Sequence, residues 1–247
     1  MAASFAMMFV AFGAWAASVS VSYETVPGDA LYSLKMMAEK TQLTFSSQDV
    51  KPSLQVEFAN RRLEEINKIA NRSTIKNKEA RTKEAVKNFN FYIAAVKTEL
   101  DDLASGSSSE KAMEVAQMVN RKTEEYGTVL DQVRVTAGTE TQKEVDKATS
   151  AVDGASISAV NVIVKNSTEA SSTIVNQLES KVIKLEGSLN GGGVQATEAK
   201  ESLNAAKAAL ENNDLNTATG KLIEVKLLMD GTLDAADKAN VATSTNK

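Results

Sequence analysis

Any acid–base or nucleophilic chemistry in this chain falls to Asp, Glu, Lys, Ser or Tyr, because its 247 residues include no His and no Cys. That excludes zinc sites built on imidazole or thiolate, cysteine nucleophiles, histidine-based triads and axial haem histidines. It also excludes disulfides in any compartment. Three carboxylate pairs are present, Glu64-Glu65, Asp101-Asp102 and Glu124-Glu125. Neighbours on a helix point about 100° apart, so these pairs do not converge on one proton or one metal. A calcium loop needs acids at alternate positions around a glycine turn, and no such run occurs. Gly191-Gly192-Gly193 has no Lys-Ser or Lys-Thr after it and no strand pattern before it, so it reads as a linker and not as a phosphate loop. The expectation is no catalytic, metal-binding or cofactor-binding residue, and a protein that is not an enzyme.

Two sets of polar residues remain. The first is Asp29, Tyr32 and Lys35 together with Arg62 and Glu65. In structural terms Pro27 and Gly28 turn the chain, Asp29 is a good helix N-cap, and Tyr32 buries its ring while its hydroxyl finds a partner. Arg62 and Glu65 lie three apart, so they can pair along a helix or reach a neighbouring one. The alternative is that these five residues line a recognition surface. The second set is basic. Seven Lys and Arg residues from Lys68 to Lys87, among them Lys76, Lys78, Arg81 and Lys83, are set against Glu79 and Glu84, a local +5 in a chain of net charge −4. It reads either as an ordinary charged loop and helix start or as a contact for anionic lipid or an anionic wall polymer. Nucleic acid is disfavoured, because aromatics are not interleaved with the cations.

The elements that must position these residues are helical. Few prolines and few aromatics, with abundant Ala, Glu, Lys and Leu, suit long helices. Apolar residues recur in steps of three and four: Leu31, Leu34, Ala38, Thr41 and Phe45; Val56, Ala59, Leu63, Ile66 and Ala70; Val86, Phe89, Ile93, Val96, Leu100 and Leu103; Ala112, Ala116, Val119, Thr123, Tyr126, Leu130 and Val133. Each stripe is expected to bury against another helix. Turn-forming residues separate them at 46–49, 71–74 and 105–109, with Asp49 or Ser47 placed to cap the helix that contains Pro52.

After Tyr126 the chain has no aromatic residue. Thr141, Val145, Ala148, Val152 and Ala155 continue the stripe, and Val175, Leu178, Val182, Leu185 and Leu189 resume it beyond a polar stretch. Thr139 to Leu189 therefore reads as one helix of about 75 Å, thin and coiled-coil-like, with Asp153-Gly154 as the place for a kink. Two shorter stripes, Ala196–Leu210 and Leu215–Leu233, flank Asn212-Asn213-Asp214 and predict a helical hairpin capped by Asp214.

The N-terminus is different in kind. Ala2–Val21 carries no charge and is long enough, at about 30 Å as a helix, for a bilayer core. It reads as an uncleaved anchor or as a signal peptide with Ala14-Trp15-Ala16 as the cleavage site, although the usual basic flank is missing. A buried helix of a soluble domain is the remaining reading. The expected organisation is a leader at 1–22, an aromatic-containing helical domain at 23–135, an aromatic-free long helix plus hairpin at 136–238 and a frayed tail at 239–247. One continuous elongated bundle is the alternative.

Two motifs support a family. Val26-Pro27-Gly28-Asp29-Ala30-Leu31-Tyr32-Ser33-Leu34-Lys35, with Glu39 four residues on, and Phe58-Ala59-Asn60-Arg61-Arg62-Leu63-Glu64-Glu65 together resemble the bacterial family domain of unknown function 5667. The resemblance covers about Val26 to Leu103 and departs at Ser33, where the family usually has proline. It implies an all-helical extracytoplasmic domain beside a membrane segment, without established catalytic residues. Some relatives couple such a domain to envelope sensing or sigma-factor control.

The expected function follows from leader, stripes and absent chemistry. It is a non-enzymatic envelope protein, held at the membrane by residues 2–21 if these are uncleaved, acting through helix-mediated contact with a protein partner or with itself. The second reading is an ectodomain of an envelope-sensing system. The third is a small-ligand module with a pocket lined by Tyr32, Phe45, Phe58, Phe89 and Tyr92; a small-molecule ligand and nucleic acid are both disfavoured.

Overall fold

The computed structural model describes residues 24–47, 50–105, 110–166, 172–189 and 194–231. The leader, the tail and the Gly191–Gly193 linker lie outside the described residues. Within them the chain is all-helical. We number the helices α1 (Tyr32–Phe45), α2 (Lys51–Asn71), α3 (Lys78–Ser105), α4 (Glu110–Thr136), α5 (Thr139–Asn166), α6 (Ser172–Ser188), α7 (Val194–Glu211) and α8 (Leu215–Met229). Among the described residues none of them is long and apolar enough to cross a membrane.

The ends of the helices have local causes. Pro52 sits in the first turn of α2, where its missing N–H is no loss. Asn77 before α3 and Asn213 before α8 both have φ of 55°, a left-handed conformation that Asn tolerates better than most residues. Asp214 caps α8 by accepting from the Thr217 N–H at 3.0 Å. Two expected caps are not made. The N-caps of α1 and α2 are Leu31 and Val50, without side-chain bonds. Asp29 instead accepts from the Val26 N–H at 3.0 Å and closes the turn ahead of α1. Asp49 lies outside the described residues.

Helix α2 packs on α3, α3 and α4 pack on α5, and α5 packs in turn on α8. The pair α7–α8 forms the expected hairpin, and α6 packs mainly against it. The predicted stripes of α2 to α5 point inward for most of their length, with Val56, Ile66, Phe89, Val96, Tyr126 and Leu130 almost wholly buried, while Ala70 at the end of α2 is exposed. Phe89 meets Tyr126 edge-on at 5.3 Å, and Phe58 meets Tyr92 at 5.4 Å.

The segment expected to be a thin stalk is the centre of the bundle. Every residue from Gly154 to Val164 is buried. A helix buried on all sides is a core helix and not a coiled-coil seam. Small side chains make this possible: Gly154, Ala155, Ser156, Ser158 and Ala159 let several neighbours approach one cylinder. Thr139–Leu189 is also not one straight helix, since Lys181 and Lys184 of α6 return to Ser156 and Asp153 of α5. Asp153-Gly154 does not break α5. A Cβ on Gly154 would stand 3.0 Å from Lys97 Cε, so this glycine leaves room for a crossing lysine stem. Polar residues in the middle of α5 find partners, whereas the buried Thr141 hydroxyl near its start has none among the described residues. Ser158 donates to Asp101 at 2.5 Å, Asn161 accepts from Thr219 at 3.2 Å, and Ser156 accepts from Lys181.

One hydrophobic core runs from Val26 to Leu228, so the expected division at 135/136 is crossed by continuous packing. Ile157, 1% exposed, lies on α5 in the aromatic-free half. Ile157→Ala should destabilise the whole chain by about 2–5 kcal/mol. Far-ultraviolet circular dichroism and the near-ultraviolet signal of the tyrosines on α1, α3 and α4 should report one shared, lowered midpoint. Separate midpoints would show two independent units.

Candidate functional site: a buried ionic network

Helix α1 reverses its expected orientation. Leu31, Leu34 and Phe45, three members of its apolar stripe, are 43%, 47% and 84% exposed. The buried residues of α1 are Tyr32, Lys35 and Glu39. These three are also spaced by three and four, so they form a polar stripe on the opposite side of the helix. They meet Arg62 and Glu65, which lie on the buried face of α2 at 0% and 1% exposure.

The contacts close on themselves. Lys35 Nζ lies 2.5 Å from Glu65 Oε1. Arg62 Nη2 bridges both carboxylates, 2.8 Å from Glu39 and 3.1 Å from Glu65. Arg61 reaches Glu39 from the edge at 3.1 Å. The Tyr32 hydroxyl donates to Glu65 at 3.2 Å and accepts from Arg62 at 3.2 Å and from Asn88 at 3.0 Å. Tyr92 on α3 donates to Glu39 at 3.1 Å. The Arg62 guanidinium also lies over the Tyr32 and Tyr92 rings, 5.7 and 5.9 Å from their centroids. Its Nε has no acceptor among the described residues. Two buried cations face two buried anions, so the interior charge balances.

Burial dominates the protonation behaviour. It pushes the Glu65 carboxyl up against the opposing pull of Arg62 and Lys35. It pulls the Lys35 ammonium down, against Glu65. For Arg62 burial acts downward too, but Glu65 and Glu39 outweigh it and hold the guanidinium above its ordinary value. Tyr32 and Tyr92 are raised chiefly by burial, with Glu65 and Glu39 adding to it. The carboxylates spend their lone pairs on partners within the protein, so the arrangement is suited to holding α1, α2 and α3 together.

Four of the five residues proposed as a recognition surface are therefore interior. Asp29, the fifth, sits at the surface and pairs with Arg81 at 2.6 Å, which joins it to the basic set. The rest of that set is spread out. Lys78 donates to the Ala70 carbonyl at 2.8 Å, Lys83 lies 3.4 Å from Glu140, and Lys76 is exposed. The expected aromatic pocket is not assembled. Phe45 is 84% exposed, and Phe58, Phe89 and Tyr92 pack on other rings in the core. Two clefts among the described residues have a different lining. One of about 490 Å³ opens beside Gly28, Tyr32, Glu84 and Asn88. The other, of about 650 Å³, is an open polar groove between α4, α5 and α6 that includes Asp131, Asp153, Lys181 and Lys184. Among the described residues no cluster of acidic side chains is placed to hold a metal ion.

Glu39, Asn88 and Arg61 complete the network from outside the expected site residues, and Tyr92, expected in an aromatic pocket, joins it through its hydroxyl. Glu39 had a usable signal, its place four residues after Lys35 in the 32–35–39 rhythm. Tyr92 and Asn88 had none, since only the packing of α3 against α2 brings them near.

These features define an all-helical bundle whose first helix is docked through an ionic interior. The chain belongs to the family described as Domain of unknown function (DUF5667), whose model matches residues 24–225. The match runs well past Leu103 and ends in α8, in keeping with the single core. No curated protein and no solved structure matches the chain.

Removing one partner of a buried pair leaves the other charge uncompensated, which typically destabilises by about 3–5 kcal/mol. Lys35→Met and Glu65→Leu should each lower the denaturant midpoint accordingly. The double variant should lose clearly less than the two losses added together. Strict additivity in chemical denaturation would show that the pair is not coupled.

Asp29 supplies a pH prediction. Burial would raise its carboxyl, but the Val26 N–H and the Arg81 guanidinium outweigh this and hold it below the ordinary carboxylate range. A depressed value means a contribution present above the unfolded pKa and lost as pH falls through the folded one. The side chain is 36% exposed, so solvent screening keeps the effect at about 1 kcal/mol or less. Asp29→Asn should flatten the acid limb of the stability profile by that amount. An unchanged acid limb in urea titrations between neutral pH and pH 3 would contradict it.

Proposed function

We propose that this protein is a non-enzymatic component of the bacterial envelope, tethered or exported through Ala2–Val21, whose helical bundle acts by contact with other proteins or as a spacer. The observation that carries this reading is the junction between the charge-free segment and the bundle. The family match begins at residue 24, three residues after Val21. The junction is held on both sides: Glu24 pairs with Arg72 at 2.7 Å and with Lys68 at 3.5 Å, Val26 is fully buried, and Asp29 pairs with Arg81. Lys35 reaches back to the Thr25 carbonyl at 3.4 Å. Such a clamp fixes where the chain enters the bundle at Glu24. The absence of His and Cys, and carboxylates that are engaged within the network, support contact over chemistry.

The test is fractionation of bacteria that make the full chain, with protease added to intact and to opened cells. The expected result is a protein recovered with the envelope and cut by protease without opening the cytoplasm. A chain that keeps residues 2–21 and stays in the cytoplasmic fraction would refute the reading.

A further inference from the structure

The outward face of α1 is uncharged over its whole length. Met37, Thr41, Leu34, Phe45, Ala38 and Leu31 fall within about 120° of the helix circumference. Leu31, Leu34, Met37 and Phe45 are 43–84% exposed. The charged residues of α1 are Lys35 and Glu39, which are buried, and Lys40, which flanks the apolar face and is exposed. A contiguous apolar face of this kind marks a contact site, whereas scattered apolar residues do not.

We propose that this face of α1 lies on the lipid bilayer, with Leu34 and Phe45 inserted at the level of the headgroups. The inference rests on reading Ala2–Val21 as a membrane segment and adds to it the surface that the bundle presents to the lipid. The chain outside the described residues sets the geometry. Glu24 stands three residues beyond Val21, a reach of at most about 11 Å. Glu24 is held beside Lys68 and Arg72, and the turn from Val26 to Asp29 leads directly into α1. A bilayer-embedded segment ending there brings α1, about 21 Å long, to the interface. The charge pattern fits an anionic surface, since Lys40 flanks the face and Lys68, Arg72 and Arg81 lie beside Glu24 and Asp29 where the chain enters α1. Interfacial helices combine such an apolar face with flanking cations. The buried network is what makes the arrangement stable: α1 is held to the protein by its charges, which frees its apolar side.

The chain has no cysteine, so single labels can be placed cleanly. Full-length Leu34→Cys, Phe45→Cys and, as a control on α6, Ile183→Cys are labelled with an environment-sensitive fluorophore. Each is reconstituted into vesicles of phosphatidylcholine with one quarter phosphatidylglycerol, with and without lipids carrying a spin-label quencher. The expected result is about twofold or stronger quenching at 34 and 45 and little at 183, because interfacial helices sink about 5–10 Å into the headgroup boundary. Protein that floats with the vesicles while 34 and 45 stay unquenched overturns this proposal and leaves the membrane segment standing. Equal quenching at all three sites, or a disulfide between two copies of Phe45→Cys without quenching, overturns it too. Protein that does not float removes both the proposal and the tether on which it rests.

Discussion

Arg62 has no exposed surface and stands between two carboxylates on two helices. That constraint organises the N-terminal half of the molecule. A buried guanidinium must be matched in charge and hydrogen-bonded, and a neighbouring helix is the nearest source of partners. Glu39 and Glu65 supply the charge, Lys35 balances the second carboxylate, and the hydroxyls of Tyr32 and Tyr92 fill remaining positions. The result is a specific register between α1, α2 and α3. Apolar packing alone would tolerate sliding or rotation of α1, whereas charged partners at fixed distances do not.

The same constraint explains the orientation of α1. A helix with one apolar and one polar face ordinarily turns the apolar face inward. Here the polar face carries ions whose partners are interior, so the apolar face is left outside. The clamp at the entrance extends this logic, with Glu24, Asp29, Arg72 and Arg81 tying the chain ahead of α1 to the start of α3 and the end of α2. Asp29 of the motif and Lys68, Arg72 and Arg81 of the basic stretch thus meet, with Glu24, at one entrance to the bundle.

The C-terminal half is organised by size and not by charge. Helix α5 is buried all round because its middle is made of Gly, Ala and Ser between β-branched residues. Close approach by α3, α4 and α8 then shares one core between both halves. The lack of aromatics beyond Tyr126 reflects the narrow spaces beside this helix, not a change from globular to fibrous structure.

The periodic residues of α2, α3, α4, α7 and α8 were readable because one stripe facing one core obeys local helix geometry. The N-cap at Asp214 and the hairpin it starts were readable for the same local reason. Arg62–Glu65 pairing was also legible, being three residues apart on one helix. Sequence alone determined the helical class, the family motifs, the exclusion of imidazole and thiol chemistry, and the position of a charge-free N-terminal segment. It did not determine which face of α1 turns inward, that Glu39 and Tyr92 join Arg62, or that α5 is central. Those depend on partners 23 to 57 residues away in the chain. A stripe shows that a face must be covered or matched, and only the packed structure decides by what.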